Sequence, residues 1–155
     1  MTAWKPGAAT IRELLRLGDL DQVAASANLA ERLLQEAETN IASAEMVRPQ
    51  DPGGAVQLGY DAARKAATSL LAAQGLRPTS AGGHVAVQRA VIAQFGEAFN
   101  RFGRMRRRRH QQEYPNIDSP TATDGDALEM IAFARQATKR AREVLGSKRL
   151  GAWSS

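Results

Sequence analysis

Apolar residues recur at steps of three and four along most of this chain, and no segment alternates β-branched with polar residues. A period near 3.6 buries one stripe of a helix, whereas a half-buried strand needs a period of two. Over 22–46 the stripe is Leu29, Leu33, Ala37, Ile41 and Ala44; over 55–74 it is Leu58, Ala62, Ala66, Leu70 and Ala73, closed by Gly75. Glycine just past a helix end takes up the left-handed turn that releases the chain. His84 opens a shorter helix to about residue 96, with Val87, Val91 (or Ala90) and Phe95 inward. The next helix, broken near Gly96 or Gly103, carries Phe99, Phe102 and Met105 and stops at Pro115, since proline disfavours a helical residue before it. A last helix, capped by Thr123 or Asp124, runs to about residue 145 on Leu128, Ile131, Ala134 (or Arg135), Ala137, Ala141 and Val144. A short one over 11–17 stops at Gly18. Arg48-Pro49-Gln50-Asp51-Pro52-Gly53-Gly54 and the stretch 76–83 are loops. The pattern predicts an all-α fold, an up-down bundle of four to five helices. It forms one domain over 11–146, between a flexible lead, 1–10, and a flexible tail, 147–155.

A chain of 155 residues can bury a real core without disulfides or metals, and this one has no cysteine. Thiol nucleophiles and thiolate metal sites are therefore excluded, and absence of cysteine fits a reducing compartment. Apolar runs of a few residues fall far short of the roughly 20 that span a bilayer. The first ten residues lack the apolar centre of a secretory signal. These features predict a soluble cytoplasmic protein with no membrane association.

Charge is concentrated in one place. Residues 101–109 hold six arginines and no acid: Arg101, Arg104, Arg106, Arg107, Arg108 and Arg109. Without those six, a chain of formal charge +5 would carry −1. At 100° per residue, Arg106, Arg107, Arg108 and Arg109 point in four directions and cannot share one solvated face. Relative to Met105, Phe102 lies about 60° away and Arg109 about 40° away, so Arg109 occupies the core-facing stripe. A guanidinium there needs a partner or a wet pocket. Glu113, four residues on, can pair with it, as can Asp61 or Glu129 from another helix. Arg106, His110 and Tyr114 follow one another at steps of four and share a flank. Cations near a helix C-terminus also favour the macrodipole, which accounts for part of such a run without any ligand. His84, after two glycines at a helix start, reads as a structural residue bonded to nearby backbone. Tyr60 and Tyr114 read as anchors at the core edge.

Clustered arginines with a histidine suit phosphate chemistry. Guanidinium forks match phosphate oxygens and keep their charge, and a histidine titrating near neutrality can move a proton. On RNA the 2′-OH is an internal nucleophile, so such a site needs no metal; arginine would stabilise charge on the phosphorane. The sequence offers no dense Asp/Glu/His cluster with metal spacing, no Gly-rich phosphate loop of the usual kinds and no nucleophile elbow. No cofactor is predicted.

Three segments together resemble the HEPN superfamily, above all its small stand-alone bacterial members. They are Tyr60-Asp61-Ala62-Ala63-Arg64-Lys65-Ala66-Ala67, then Gly75-Leu76-Arg77-Pro78 with Gly83-His84, then Arg109-His110-Gln111-Gln112-Glu113-Tyr114-Pro115. In those proteins an Ala-rich helix ends in a Gly-Arg-Pro-like turn, and a later helix ends in a basic Arg-(Asn/His)-x-x-x-(His/Tyr) signature. The resemblance spans roughly residues 24–145. It implies a HEPN-like bundle, commonly a homodimer whose signature helices face each other, in a bacterial protein. It implies RNA binding or metal-independent endoribonuclease activity in toxin–antitoxin or defence systems, with a nucleotidyltransferase-type antitoxin as partner. The alternative is a non-catalytic module that binds nucleic acid, a nucleotide or a protein. By this resemblance Arg109, His110 and Tyr114 are the catalytic candidates, and Arg104, Arg106, Arg107 and Arg108 would bind RNA phosphate. Tyr114 stands where nuclease members carry histidine. A looser form of the pattern, an arginine four to six residues before a histidine, is met by Arg104 and His110. Either His110 or Tyr114 could thus take the signature-histidine role.

Overall fold

A computed structural model describes residues 4–155; residues 1–3, part of the expected flexible lead, lie outside the described residues. Six α-helices account for most of the described chain: α1 (Ala8–Arg16), α2 (Ala27–Val47), α3 (Pro52–Gln74), α4 (Gly83–Phe95), α5 (Phe102–Glu113) and α6 (Asp124–Gly146). A 3₁₀ turn, Gly96–Phe99, stands between α4 and α5, where the glycines predicted a break.

The all-α class is as the periodicity predicts, and each boundary has a local cause. Ser26 accepts a hydrogen bond from the Leu29 amide and caps α2. Asp51 caps α3 and Pro52 occupies its first turn. Thr123 and Asp126 form a reciprocal capping box at α6.

α3 is the centre of the bundle. It is buried nearly all round, and Ala55, Ala62, Ala63, Ala66 and Ala67 are all solvent-inaccessible. Small side chains let α2 and α6 approach it closely. At Gly59 an added Cβ would sit 2.8 Å from Met130 Cγ of α6.

Ion pairs fix the sense of the outer helices. Arg48 at the end of α2 meets Asp124 at the start of α6 at 2.6 Å, whereas Arg142 near the end of α6 meets Glu31 at 2.8 Å. α2 and α6 are therefore antiparallel. α3 returns from α2 through the short turn 48–51 and runs with α6. α5 runs against α3, placing Phe102 beside Tyr60 and Gln112 beside Gly53.

Three details differ from the sequence expectation. Two short strands, β1 (Leu20–Gln22) and β2 (Leu76–Pro78), pair antiparallel; three residues are too few for alternation to be visible. The buried positions of α2 are Ala30, Leu34, Ala37, Ile41 and Ala44, and Leu29 is exposed, so the stripe is rotated at its start. Leu128 of α6 is likewise exposed, with Ala127 and Met130 taking the inward positions.

Two tryptophans, Trp4 and Trp153, anchor segments outside the main helices. Trp4 donates from Nε1 to the Gln94 carbonyl at 3.2 Å and packs on Phe95. Trp153 is buried, its amide donates to the Gln74 carbonyl at 2.7 Å, and its carbonyl accepts from Gln22. A single large indole anchors a segment whose composition otherwise reads as tail.

Gly75 adopts φ 73° at the α3 C-cap, and an added Cβ would collide with the Val23 carbonyl beside β1. Gly75→Ala is expected to lower unfolding free energy by at least about 1–2 kcal/mol, the cost of a left-handed non-glycine residue alone. Urea denaturation followed by circular dichroism measures it; an unchanged midpoint would contradict the cap.

Candidate phosphate site

The arginine run divides by helical phase. Arg104 and Arg108, four residues apart, face α6. Arg104 meets Glu129 at 2.7 Å; Arg108 meets Glu129 at 2.8 Å and Asp126 at 3.5 Å. Both carry their own carboxylate partners, which leaves them less free for an anion than the sequence suggested. Arg107 is exposed, with its Nη1 beside Gly103.

Arg106, Arg109 and His110, spaced by three and four, face the opposite way. They line a cavity of about 240 Å³ with Tyr60 of α3 and His84 at the start of α4. The guanidinium of Arg109 lies 5.6 Å from the Tyr60 ring centroid, within cation–π range. Its Nη1 pairs with Glu113, the i+4 partner expected from sequence. Arg109 is thus the core-stripe arginine the helical angles require, with its side chain 25% exposed. The Nε atoms of both Arg106 and Arg109 are buried without a protein hydrogen-bond partner among the described residues. A buried unpaired donor costs free energy that an anion or water would recover.

His84 is not bonded to nearby backbone. Its Nδ1 lies 3.0 Å from the Tyr60 hydroxyl, and the two rings stack at 5.8 Å and 26°. Tyr60 is fully buried, not an edge anchor. It joins an aromatic chain, with edge contacts to Phe102 at 5.8 Å and from Phe102 to Phe133 at 5.6 Å. Core packing thereby sets the position of the cavity wall.

Burial pushes the Tyr60 phenol up to about 12. Desolvation, and then Arg64, Arg109 and Arg106, push His84 below its ordinary 6.5, against a smaller opposing pull from Asp61. Neutral His84 is therefore the form the fold favours.

His110 and Tyr114 do come together, with ring centroids 5.0 Å apart. Tyr114 is 64% exposed and does not line the cavity. The structure joins Arg106, Arg109 and His110 in one place and adds Tyr60 and His84, which sequence reasoning did not assign to the site. The available signal was His84 itself, a lone polar residue directly after Gly82-Gly83 at a helix start, ahead of Val85-Ala86-Val87.

No group of three or more His, Asp or Glu side chains among the described residues is arranged to hold a metal ion. No helix there is long and apolar enough to cross a membrane. The chain matches no family model, no curated protein and no solved structure.

Glu129 holds two arginines at the α5–α6 seam, each of the three side chains partly exposed. Glu129→Gln is expected to cost no more than about 1 kcal/mol, because solvent screens such pairs, as read by urea denaturation. A loss of several kcal/mol would mean that the seam depends on charge rather than on apolar packing.

Proposed function

We propose that this protein acts on RNA as a HEPN-like, metal-independent endoribonuclease, with Arg106 and Arg109 holding the phosphate at the cavity between α3, α4 and α5. One observation carries the reading: two guanidinium groups with buried, unpartnered Nε donors converge with two imidazoles on one cavity lined by no carboxylate. That set recognises a phosphodiester by charge and by hydrogen-bond geometry. In the reaction the 2′ oxygen bonds to phosphorus and the bond from phosphorus to the 5′ oxygen breaks. The 2′-OH proton passes to His110, and the 5′ oxygen takes a proton from water. Arg106 and Arg109 stabilise the added charge on the phosphorane. Tyr114, its ring tilted against that of His110, orients it.

The same reading takes the working unit as a homodimer with two such cavities facing a shared cleft. Tyr114 and Ile117, the latter fully exposed, supply apolar surface for the second copy. A role in a toxin–antitoxin or defence system, with a nucleotidyltransferase-type antitoxin as partner, belongs to this proposal through the sequence resemblance.

A second reading has an observation of its own. Glu113 already occupies one edge of Arg109, and tyrosine replaces histidine at residue 114. A phenol hydroxyl is a poorer proton acceptor than an imidazole nitrogen. These features favour a catalytically degenerate module that binds nucleic acid without turnover.

Incubation of labelled RNAs in excess chelator separates the two. The first reading expects cleavage products that disappear with His110→Ala; full cleavage by that variant would remove His110 from the reaction. Binding that falls steeply with salt, with no products, would establish the second. In both, Arg109→Ala weakens RNA binding and reduces the salt slope by about 1, whereas Arg104→Ala has a smaller effect. Equal losses at both positions would contradict the division of the run. Size-exclusion chromatography is expected to give a dimer that Ile117→Asp shifts to monomer; a monomeric wild type would refute the shared cleft.

A further inference from the structure

The contact between Tyr60 and His84 specifies more than position. The Tyr60 hydroxyl is buried and keeps its proton, and His84 Nδ1, at 3.0 Å, is its hydrogen-bond partner among the described residues. A buried hydroxyl hydrogen needs an acceptor. The phenol therefore donates to Nδ1, and Nδ1 uses its lone pair to accept. A neutral imidazole with an accepting Nδ1 carries its one proton on Nε2.

The remaining ring nitrogen is thus an N–H donor, on a residue that lines the cavity together with Arg106 and Arg109. Charging His84 would place a second proton on Nδ1, turning the phenol hydrogen away from its acceptor inside the core. The groups facing the ring also oppose a cation. Arg64 on α3 and Arg106 and Arg109 on α5 are positive, and only Asp61 pulls the other way. His110 faces the same cavity from α5.

We propose that His84 is a phosphate-binding residue, presenting a neutral Nε2–H to a phosphate oxygen beside the two arginines, and that Tyr60 is the positioning residue that fixes this tautomer. The assignment rests on the phosphate reading of the cavity. It also denies His84 the role of base, since the ring nitrogen not held by Tyr60 already bears a proton, and so leaves proton transfer to His110. A neutral donor adds directionality without a third charge, which suits a phosphodiester bearing a single negative charge.

Two measurements on the full chain test it. Long-range ¹H–¹⁵N correlation spectra at pH 7 are expected to show His84 as the Nε2–H tautomer, and Tyr60→Phe to give a tautomer mixture. A wild-type ring protonated on Nδ1 would overturn the proposal. Affinity for a chelator-treated, 2′-deoxy-blocked oligonucleotide is expected to fall about tenfold in His84→Ala, the loss of one hydrogen bond to a charged group. His84→Gln, which can place an amide N–H where Nε2 stood, is expected to recover part of that loss. Circular dichroism checks that each variant is folded. Undiminished affinity in a folded His84→Ala overturns the role of His84 alone, with the arginine site intact. Failure of the wild type to bind the oligonucleotide overturns the phosphate reading, and this assignment falls with it.

Discussion

Everything in this fold depends on one helix being thin enough to be surrounded. α3 is buried on almost every side, and its run of alanines and Gly59 lets α2 and α6 pack close to its backbone. Such packing leaves little room for a large side chain, and Tyr60 is the exception. Its ring is accommodated because Phe102 meets it edge-on and is itself met edge-on by Phe133. Its hydroxyl, the one polar atom it brings into the core, finds its partner in His84. A core-packing constraint is thus converted into the placement of an imidazole at a cavity wall. The link is rigid, because a close-packed interior transmits displacement rather than absorbing it.

The arginine run shows how helical phase divides a crowded sequence into side chains with different surroundings. On α5 the apolar stripe of Phe102 and Met105 faces the core. To one side, Arg104 and Arg108 are held by Glu129 and Asp126, so two of the charges are spent on the seam with α6. To the other side, Arg106 and Arg109 line the cavity, and their Nε donors find no partner among the described residues. Net charge alone would treat all six arginines alike. Their partners distinguish a structural pair from a pair available to an anion.

The helices were legible in the sequence because burial on one face imposes a 3.6-residue period, and the breaks at Gly75, Gly96 and Pro115 have stereochemical causes. The phase of α2 was less so, since Leu29 and Ala30 both extend a three-and-four spacing and only the neighbouring helices decide between them. The two-stranded pairing and the anchoring of Trp153 depend on partners more than fifty residues distant, which no local pattern encodes. For the site, the angle between Met105 and Arg109 pointed to the arginine on the core stripe, and of the partners open to it, Glu113, Asp61 and Glu129, the structure pairs it with Glu113. His84 was misjudged because its partner, Tyr60, lies a full helix earlier in the chain. Tyr114, the last position of the resembling segment 109–114, lies exposed outside the cavity.

The central claim is that a single cavity bounded by Arg106, Arg109 and His84 receives an RNA phosphate. The most direct measurement is a crystal structure of the protein with a short oligoribonucleotide blocked against cleavage by a 2′-deoxy substitution. The account predicts a phosphate within hydrogen-bond distance of both guanidinium groups and of His84 Nε2, with Arg104 and Arg108 still paired to Glu129. An oligonucleotide lying along the Arg104 and Arg107 face, with no phosphate in the cavity, would contradict it.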